Sequence, residues 1–288
     1  AYANEFNLAT EDLSKQPGDT AFHVFGQRVS ESAVMDEYRV LVDRMRDDLH
    51  TLSGAPDFFN HTAADVALDS VSLGEYLATR AFDLPLVREV MDIAYVAEYG
   101  LDTSAQSSLN FLLFIHADRR SKFTPFGVFS DERYHVVGGN DAIASGIASR
   151  LPGPIEYGAK LTKLAKNGFG EYVLTFSGGI KVKADYVVLA IPFTVLRDVT
   201  LDASLGLSPD KLRAIAKLGY GMNAKTMYGF AGKPWLALQN CNGSLYTDLP
   251  DIQNTWETNP TTSNGSSILT DYAGGNRGAT MGATATNN

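Results

Sequence analysis

Tyr134-His135-Val136-Val137-Gly138-Gly139-Asn140-Asp141 marks the point at which the chain changes texture. A short β-type run ends there in a glycine pair, so a strand and a turn are expected, with a short helix after Asp141. Upstream, apolar residues recur at helical spacing. Downstream they come in short runs separated by glycine-centred turns. The chain therefore reads as α/β (α+β), a helical region joined to a mixed-sheet region.

Working outward towards the C-terminus, Leu161 to Leu164, Tyr172 to Phe176 and Ile180 to Val182 read as strands, with Gly178-Gly179 as the turn between the last two. Tyr186-Val187-Val188-Leu189-Ala190-Ile191 is apolar throughout, as a strand covered on both faces would be, and Pro192 ends it. Ser208-Pro209-Asp210 is a helix start, with serine as cap and proline in the first turn. Leu212, Ile215, Ala216 and Leu218 carry the apolar face of that helix. Strand-like sequence resumes at Lys225 to Phe230. The remainder is rich in Asn, Thr, Gly and Ser and shows one further strand candidate, Ile268 to Tyr272; the tail from Gly278 is expected to be mobile.

Working back towards the N-terminus, Leu109 to Ile115 reads as a buried helix. Pro85 opens another helix, which Gly100 should end in a left-handed conformation. Ser72-Leu73-Gly74-Glu75 fits a capping box at the head of a third. Val34, Tyr38, Leu41, Val42, Met45, Leu49 and Leu52 form one buried helical stripe. Ala21 to Phe25 and Arg28 to Ser30 suggest a hairpin around Gly26-Gln27.

At 288 residues, with 44% hydrophobic and 20% charged residues, the chain has the make-up of a globular protein rather than a disordered or collagenous one. A net charge of −9 would repel a phosphate backbone, so nucleic acid is not an expected partner. The single cysteine, Cys241, excludes an internal disulfide and a multi-thiolate zinc site. It leaves the compartment open. Apolar runs fall well short of the roughly 20 residues that span a bilayer, and no N-terminal run resembles a signal peptide. A soluble protein, with the cytoplasm favoured, is the expectation. The chain starts at Ala1 without an initiator methionine, so an upstream segment is expected.

Several motifs are present in form and absent in context. Gly219-Tyr220-Gly221-Met222-Asn223-Ala224 satisfies a dinucleotide-binding pattern, but that fingerprint needs a strand before it and a helix after it, and here the order is reversed. Gly274-Gly275-Asn276-Arg277-Gly278 has the wrong spacing and reads as a strand-end turn. The five histidines never fall in a metalloprotease spacing, so no metal is expected. His116 and Asp118 favour a capping or salt-linked role over acid/base work. No nucleophile elbow is present, and Cys241 carries no mark of a reactive thiol.

The stronger signal is an ordered set. The segment from Val136 to Ala148 is followed by Gly158-Ala159-Lys160-Leu161-Thr162-Lys163-Leu164, then by the Gly178-Gly179 hairpin and Ala184 to Pro192. Gly221-Met222-Asn223-Ala224-Lys225 and Lys233-Pro234-Trp235 come last. In this combination the sequence resembles the flavin-dependent amine oxidases, the group that contains monoamine oxidases, polyamine oxidases and L-amino-acid oxidases. The resemblance is clearest from Tyr134 to Trp235 and extends more weakly over Ser72 to Ile115.

The resemblance implies FAD as cofactor, a small-molecule amine or amino acid as substrate, oxygen as second substrate and a homodimer as candidate assembly. It implies a helical and substrate-domain part over 1–130, part of an FAD-binding domain over 131–200 and a substrate-domain sheet part over 201–288. Gly138 and Gly139 would lie beside the flavin domain, Leu161 would carry backbone groups near the adenine, and Ala190, Ile191 and Pro192 would close the last strand of that region. Lys225 matches the lysine that holds a water next to flavin nitrogen N5. The family's glycine-rich βαβ unit should precede this sequence and a second flavin segment should follow it, so the chain reads as the middle of a longer oxidase. A related FAD enzyme acting on a non-amine substrate, such as a carotenoid desaturase or protoporphyrinogen oxidase, and a noncatalytic amine-binding module are the rival readings.

Overall fold

The computed structural model describes residues 2–115, 125, 133–260 and 265–284. The chain divides into two units, one made of residues 1–142 and 221–288, the other of residues 143–220. His116 and Asp118 lie outside the described residues.

The first unit opens with a short helix α1 (Tyr2–Glu5) and strand β1 (Thr10–Asp12). Strands β2 (Asp19–Val24) and β3 (Gln27–Val29) form the expected hairpin, with its turn one residue earlier, at Phe25 and Gly26. Both turn residues have positive φ, 55° and 74°, the pair that matches the twist of a two-residue hairpin. Helix α2 (Glu31–Thr51) is capped by Ser30 and buries Val34, Tyr38, Leu41, Val42 and Met45 of the stripe read from the sequence, with Met35 beside them, while Leu49 and Leu52 at its end are only partly buried. Helix α4 (Leu73–Arg80) starts with the expected capping box: Glu75 N donates to Ser72 Oγ and Ser72 N donates to the Glu75 carboxylate, each at 3.2 Å. Helix α5 (Pro85–Tyr99) begins at its proline and ends at Gly100, whose φ is 66°. Helix α6 (Ser108–Ile115) packs Phe111, Leu112 and Ile115 inwards. These helices and β2 enclose one core containing Phe22, Tyr38, Met91, Tyr95 and Phe111. Each such side chain contributes about 1.5–3 kcal/mol by leaving water.

Helix α3 (Ala63–Asp69) has its own capping box, Thr62 and Asp65, which the sequence reading did not single out. Asp65 is buried, and its carboxylate accepts bonds from Thr62 N (2.7 Å), Thr62 Oγ1 (2.9 Å), Ser53 N (3.1 Å) and Ser53 Oγ (2.7 Å). The Thr62 N–H is the largest of the influences that hold its pKa down to about 2. A folded value below the unfolded one means stability present above about pH 4 and lost as the pH falls towards 2. Urea unfolding at pH 5 and pH 3 should show this loss in the native protein and a smaller one in Asp65→Asn. Equal losses in both would contradict the assignment.

Strand β4 (Tyr134–Val136) pairs antiparallel with β1, and helix α7 (Asp141–Ala148) follows the Gly138-Gly139 turn as expected. In the second unit, β5 (Leu161–Lys166), β6 (Tyr172–Phe176) and β7 (Lys181–Ala184) form the three strands read from the sequence. The one-turn helix α8 (Phe193–Leu196), strand β8 (Thr200–Leu201) and helix α9 (Pro209–Lys217) complete it, in a sheet of order β7-β6-β5-β8. Ser208 caps α9, but only Ile215 of its expected apolar face is buried; Leu212 and Leu218 are exposed.

The expected strand from Tyr186 to Ile191 is not formed. These residues pair with no strand among the described residues, and Tyr186 and Val188 are 91% and 89% exposed. A strand's hydrogen bonds come from its neighbour, so an apolar β-branched run without one stays irregular.

The chain re-enters the first unit with β9 (Ala224–Ala231), helix α10 (Pro234–Gln239), β10 (Cys241–Thr247), β11 (Asn254–Glu257), β12 (Ser266–Ala273) and helix α11 (Gly275–Thr284). Its sheet has the order β3-β2-β10-β11-β12-β9, with β10 parallel to β2 and the other neighbours antiparallel. The final third is thus more ordered than its composition suggests. The Gly274–Gly278 stretch starts α11 rather than forming only a turn, and the tail from Gly278 continues that helix to Thr284. Arg277 secures it by donating to Thr247 O (3.2 Å) and Ile252 O (3.1 Å).

Candidate functional site

The site is built where the stretch leading into β9 packs on the end of α5. Gly221 lies so close to α5 that a Cβ there would be 2.0 Å from Tyr99 O and 2.8 Å from Gly100 Cα. Met222 N donates to Gly100 O (2.6 Å) and Asn223 Nδ2 donates to Ala97 O (2.7 Å). Glycine is needed here for close approach of two backbones, not for a phosphate. Helix α9 precedes this stretch and β9 follows it, the order already read as wrong for a dinucleotide.

With its start pinned, β9 pairs with β12 through eight consecutive residues, from Ala224 opposite Ala273 to Ala231 opposite Ser266. Lys225 faces Tyr272, and Trp256 of β11 faces Thr270 of β12. Side chains alternate along a strand, so all three project from one face of the sheet. Lys225 Nζ lies 4.7 Å from the Tyr272 ring centroid and 5.2 Å from that of Trp256. The two rings meet edge to face, 5.6 Å apart at 81°. Strands β9 and β11 are two spacings apart, about 10 Å. The lysine therefore lies across Tyr272 towards Trp256 instead of standing off the sheet.

Trp256 and Tyr272 were not identified as site residues from the sequence. Tyr272 stood in an expected strand without a role and Trp256 in no expected element. They meet Lys225 only through strand register, for which local spacing carries no signal.

Of the residues expected near a flavin, Gly138 and Gly139 lie in the first unit with Lys225, while Leu161, Ala190, Ile191 and Pro192 lie in the second. Gly138 has φ 90° and open space where a Cβ would be, so its backbone is bare; a Cβ on Gly139 would meet Asp141 Oδ1 at 2.6 Å. In the second unit, Leu161 and Leu189 pack against the same small cluster of Leu196, Val199 and Ile215, which brings Leu161 beside the segment that runs into Ala190. Pro192 O accepts bonds from Val195 N (3.0 Å) and Leu196 N (2.9 Å) at the head of α8. A cation on an aromatic floor and the bare backbone at Gly138 suit the electron-rich ring edge and phosphates of a flavin nucleotide, whereas the Gly139 N–H is already given to Val136 O (3.0 Å). Among the described residues no group of His, Cys, Asp and Glu is placed to hold a metal ion, and no helix is long and apolar enough to cross a membrane.

The family model for flavin-containing amine oxidoreductases matches residues 1–284. The chain belongs to that family. Membership implies a flavin cofactor and the α/β fold described above.

Among solved structures, this flavin-containing amine oxidoreductase is similar to putrescine oxidase bound to putrescine, with TM-score 0.76, 17% identity and coverage of 96% of this chain and 62% of that one. A substituted form of putrescine oxidase gives TM-score 0.79 at 16% identity, covering 99% and 63%. Cyclohexylamine oxidase from Brevibacterium oxydans gives 0.73 at 17%, covering 96% and 61%. At such identities the likeness speaks for the fold alone. The chain spans about three fifths of these neighbours' lengths, 61–63%. Comparison with curated proteins gave no match.

Proposed function

We propose that the complete protein is an FAD-dependent oxidase of a small amine or amino acid. The observation that carries this reading is the Lys225 ammonium laid over Tyr272 and Trp256 on one face of the sheet, in a chain of the amine oxidoreductase family. FAD, when bound, supplies the acceptor for a hydride equivalent from the carbon that bears the amine. Amine, oxygen and water then become carbonyl compound, ammonia or a smaller amine, and hydrogen peroxide, the imine being hydrolysed on the way.

The protein's part is placement and charge. Lys225 would put a positive charge where negative charge develops during oxygen reduction. Gly138 would offer bare backbone to the cofactor, with Gly139 keeping the turn beside it, and Leu161, Ala190, Ile191 and Pro192 are the residues of the second unit that would lie near its adenine half. Membership of a family of amine oxidoreductases favours an amine over a non-amine substrate.

The test uses the complete flavin-loaded protein with a panel of diamines, cyclic amines and amino acids. Anaerobic bleaching of the flavin by at least one of them, with peroxide released when oxygen is admitted, is the expected result. A flavin that no amine bleaches, in a protein that binds FAD normally, would overturn the reading.

A further inference from the structure

A lysine stem has four rotatable bonds, so an ammonium on an exposed strand residue samples many positions unless something holds it. Lys225 is such a residue, and among the described residues its Nζ lies over two rings, Tyr272 at 4.7 Å and Trp256 at 5.2 Å. Ring faces attract cations through their quadrupole. Two faces reached by one ammonium define its place better than one.

The rings are themselves held. Trp256 stands between Thr255 and Glu257, which are buried on the opposite face of the sheet. There Thr255 Oγ1 donates to Gly243 O (2.7 Å) and Glu257 pairs with Lys233 Nζ (2.7 Å). Tyr272 follows Asp271, which is buried and accepts from Gln253 N (3.1 Å). The edge-to-face contact then braces one ring on the other.

We infer that Trp256 and Tyr272 are positioning residues that fix the Lys225 ammonium over the sheet. The inference rests on the role proposed for Lys225. The aromatic pair touches no reacting atom on this account and acts through the lysine alone. Its loss should therefore weaken the oxygen half-reaction and leave the amine half-reaction unchanged.

The test begins with a spectroscopic readout that is independent of turnover. Reductive ¹³C-dimethylation of the complete protein keeps lysine charge, and a Lys225→Arg variant identifies the Lys225 resonance. Ring currents should displace that resonance upfield of those of solvated lysines. Trp256→Leu or Tyr272→Leu should return it towards them and slow flavin reoxidation about three- to tenfold, with flavin reduction unchanged; Tyr272→Phe should keep both the shift and the rate. A native Lys225 resonance among the solvated lysines would overturn the inference, and that result needs no variant to fold. If Lys225→Met left reoxidation unchanged while the displaced resonance stood, the role of the lysine would fall and its placement would survive.

Discussion

Replacing Gly221 with alanine should lower folding stability by about 3 kcal/mol, at the upper end of what overpacking costs. The added Cβ would stand 2.0 Å from Tyr99 O, 2.8 Å from Gly100 Cα and 2.9 Å from Tyr99 C. All three are backbone atoms, so no side chain can swing away to make room. Relief requires the strand to lift off the end of α5, with loss of the bonds from Met222 N to Gly100 O and from Asn223 Nδ2 to Ala97 O. Lys225 lies four residues further on and would move with the strand. Gly219 provides the control, because nothing lies within 4 Å of its Cβ position. Urea titrations should show a markedly lower midpoint for Gly221→Ala and a change within about 0.5 kcal/mol for Gly219→Ala. Equal midpoints for the two variants would mean that the docking of 221–223 on α5 is not formed in solution.

The contrast between these two glycines shows where sequence reading reaches its limit. Both stand in the same dinucleotide-like string, and context excludes a phosphate role for either; only the structure separates the one that touches backbone from the one that touches nothing. The helices α2, α4, α5 and α9 were legible because their signals are local: Ser72 with Glu75, Pro85 with Gly100, Ser208 with Pro209. The strand expected at Tyr186 to Ile191 shows the reverse case, since composition states a β preference but cannot supply the neighbouring strand. Helix α11 was missed because Gly275, Asn276 and Gly278 are poor helix formers; its hold comes from Arg277 on distant carbonyls and from Asn276 Nδ2 on Asp102 (2.5 Å). The parallel pairing of β2 with β10 joins residues more than two hundred positions apart, which no window on the sequence can see. Lys225 was legible through its surrounding motif, whereas Trp256 and Tyr272 became site residues only through the register of β9, β12 and β11.

Replacing Lys225 with methionine removes the charge and keeps most of the stem's bulk. Lys225 is exposed and buries no charge, so the fold should tolerate the change. Removing one preorganised electrostatic group from a developing anion typically costs about a hundredfold or more in rate. The loss should fall on the step that develops negative charge, the reaction of reduced flavin with oxygen. Transfer from the amine to the flavin should be nearly unaffected, since on this account the lysine serves the oxygen side.

Stopped-flow analysis of both half-reactions in the complete protein, native and Lys225→Met, with an amine that bleaches the native flavin, decides whether Lys225 serves the reaction with oxygen. Reoxidation should be slowed about a hundredfold and amine-dependent reduction should stay close to the native rate. Reoxidation at the native rate in the Lys225→Met protein would contradict that role.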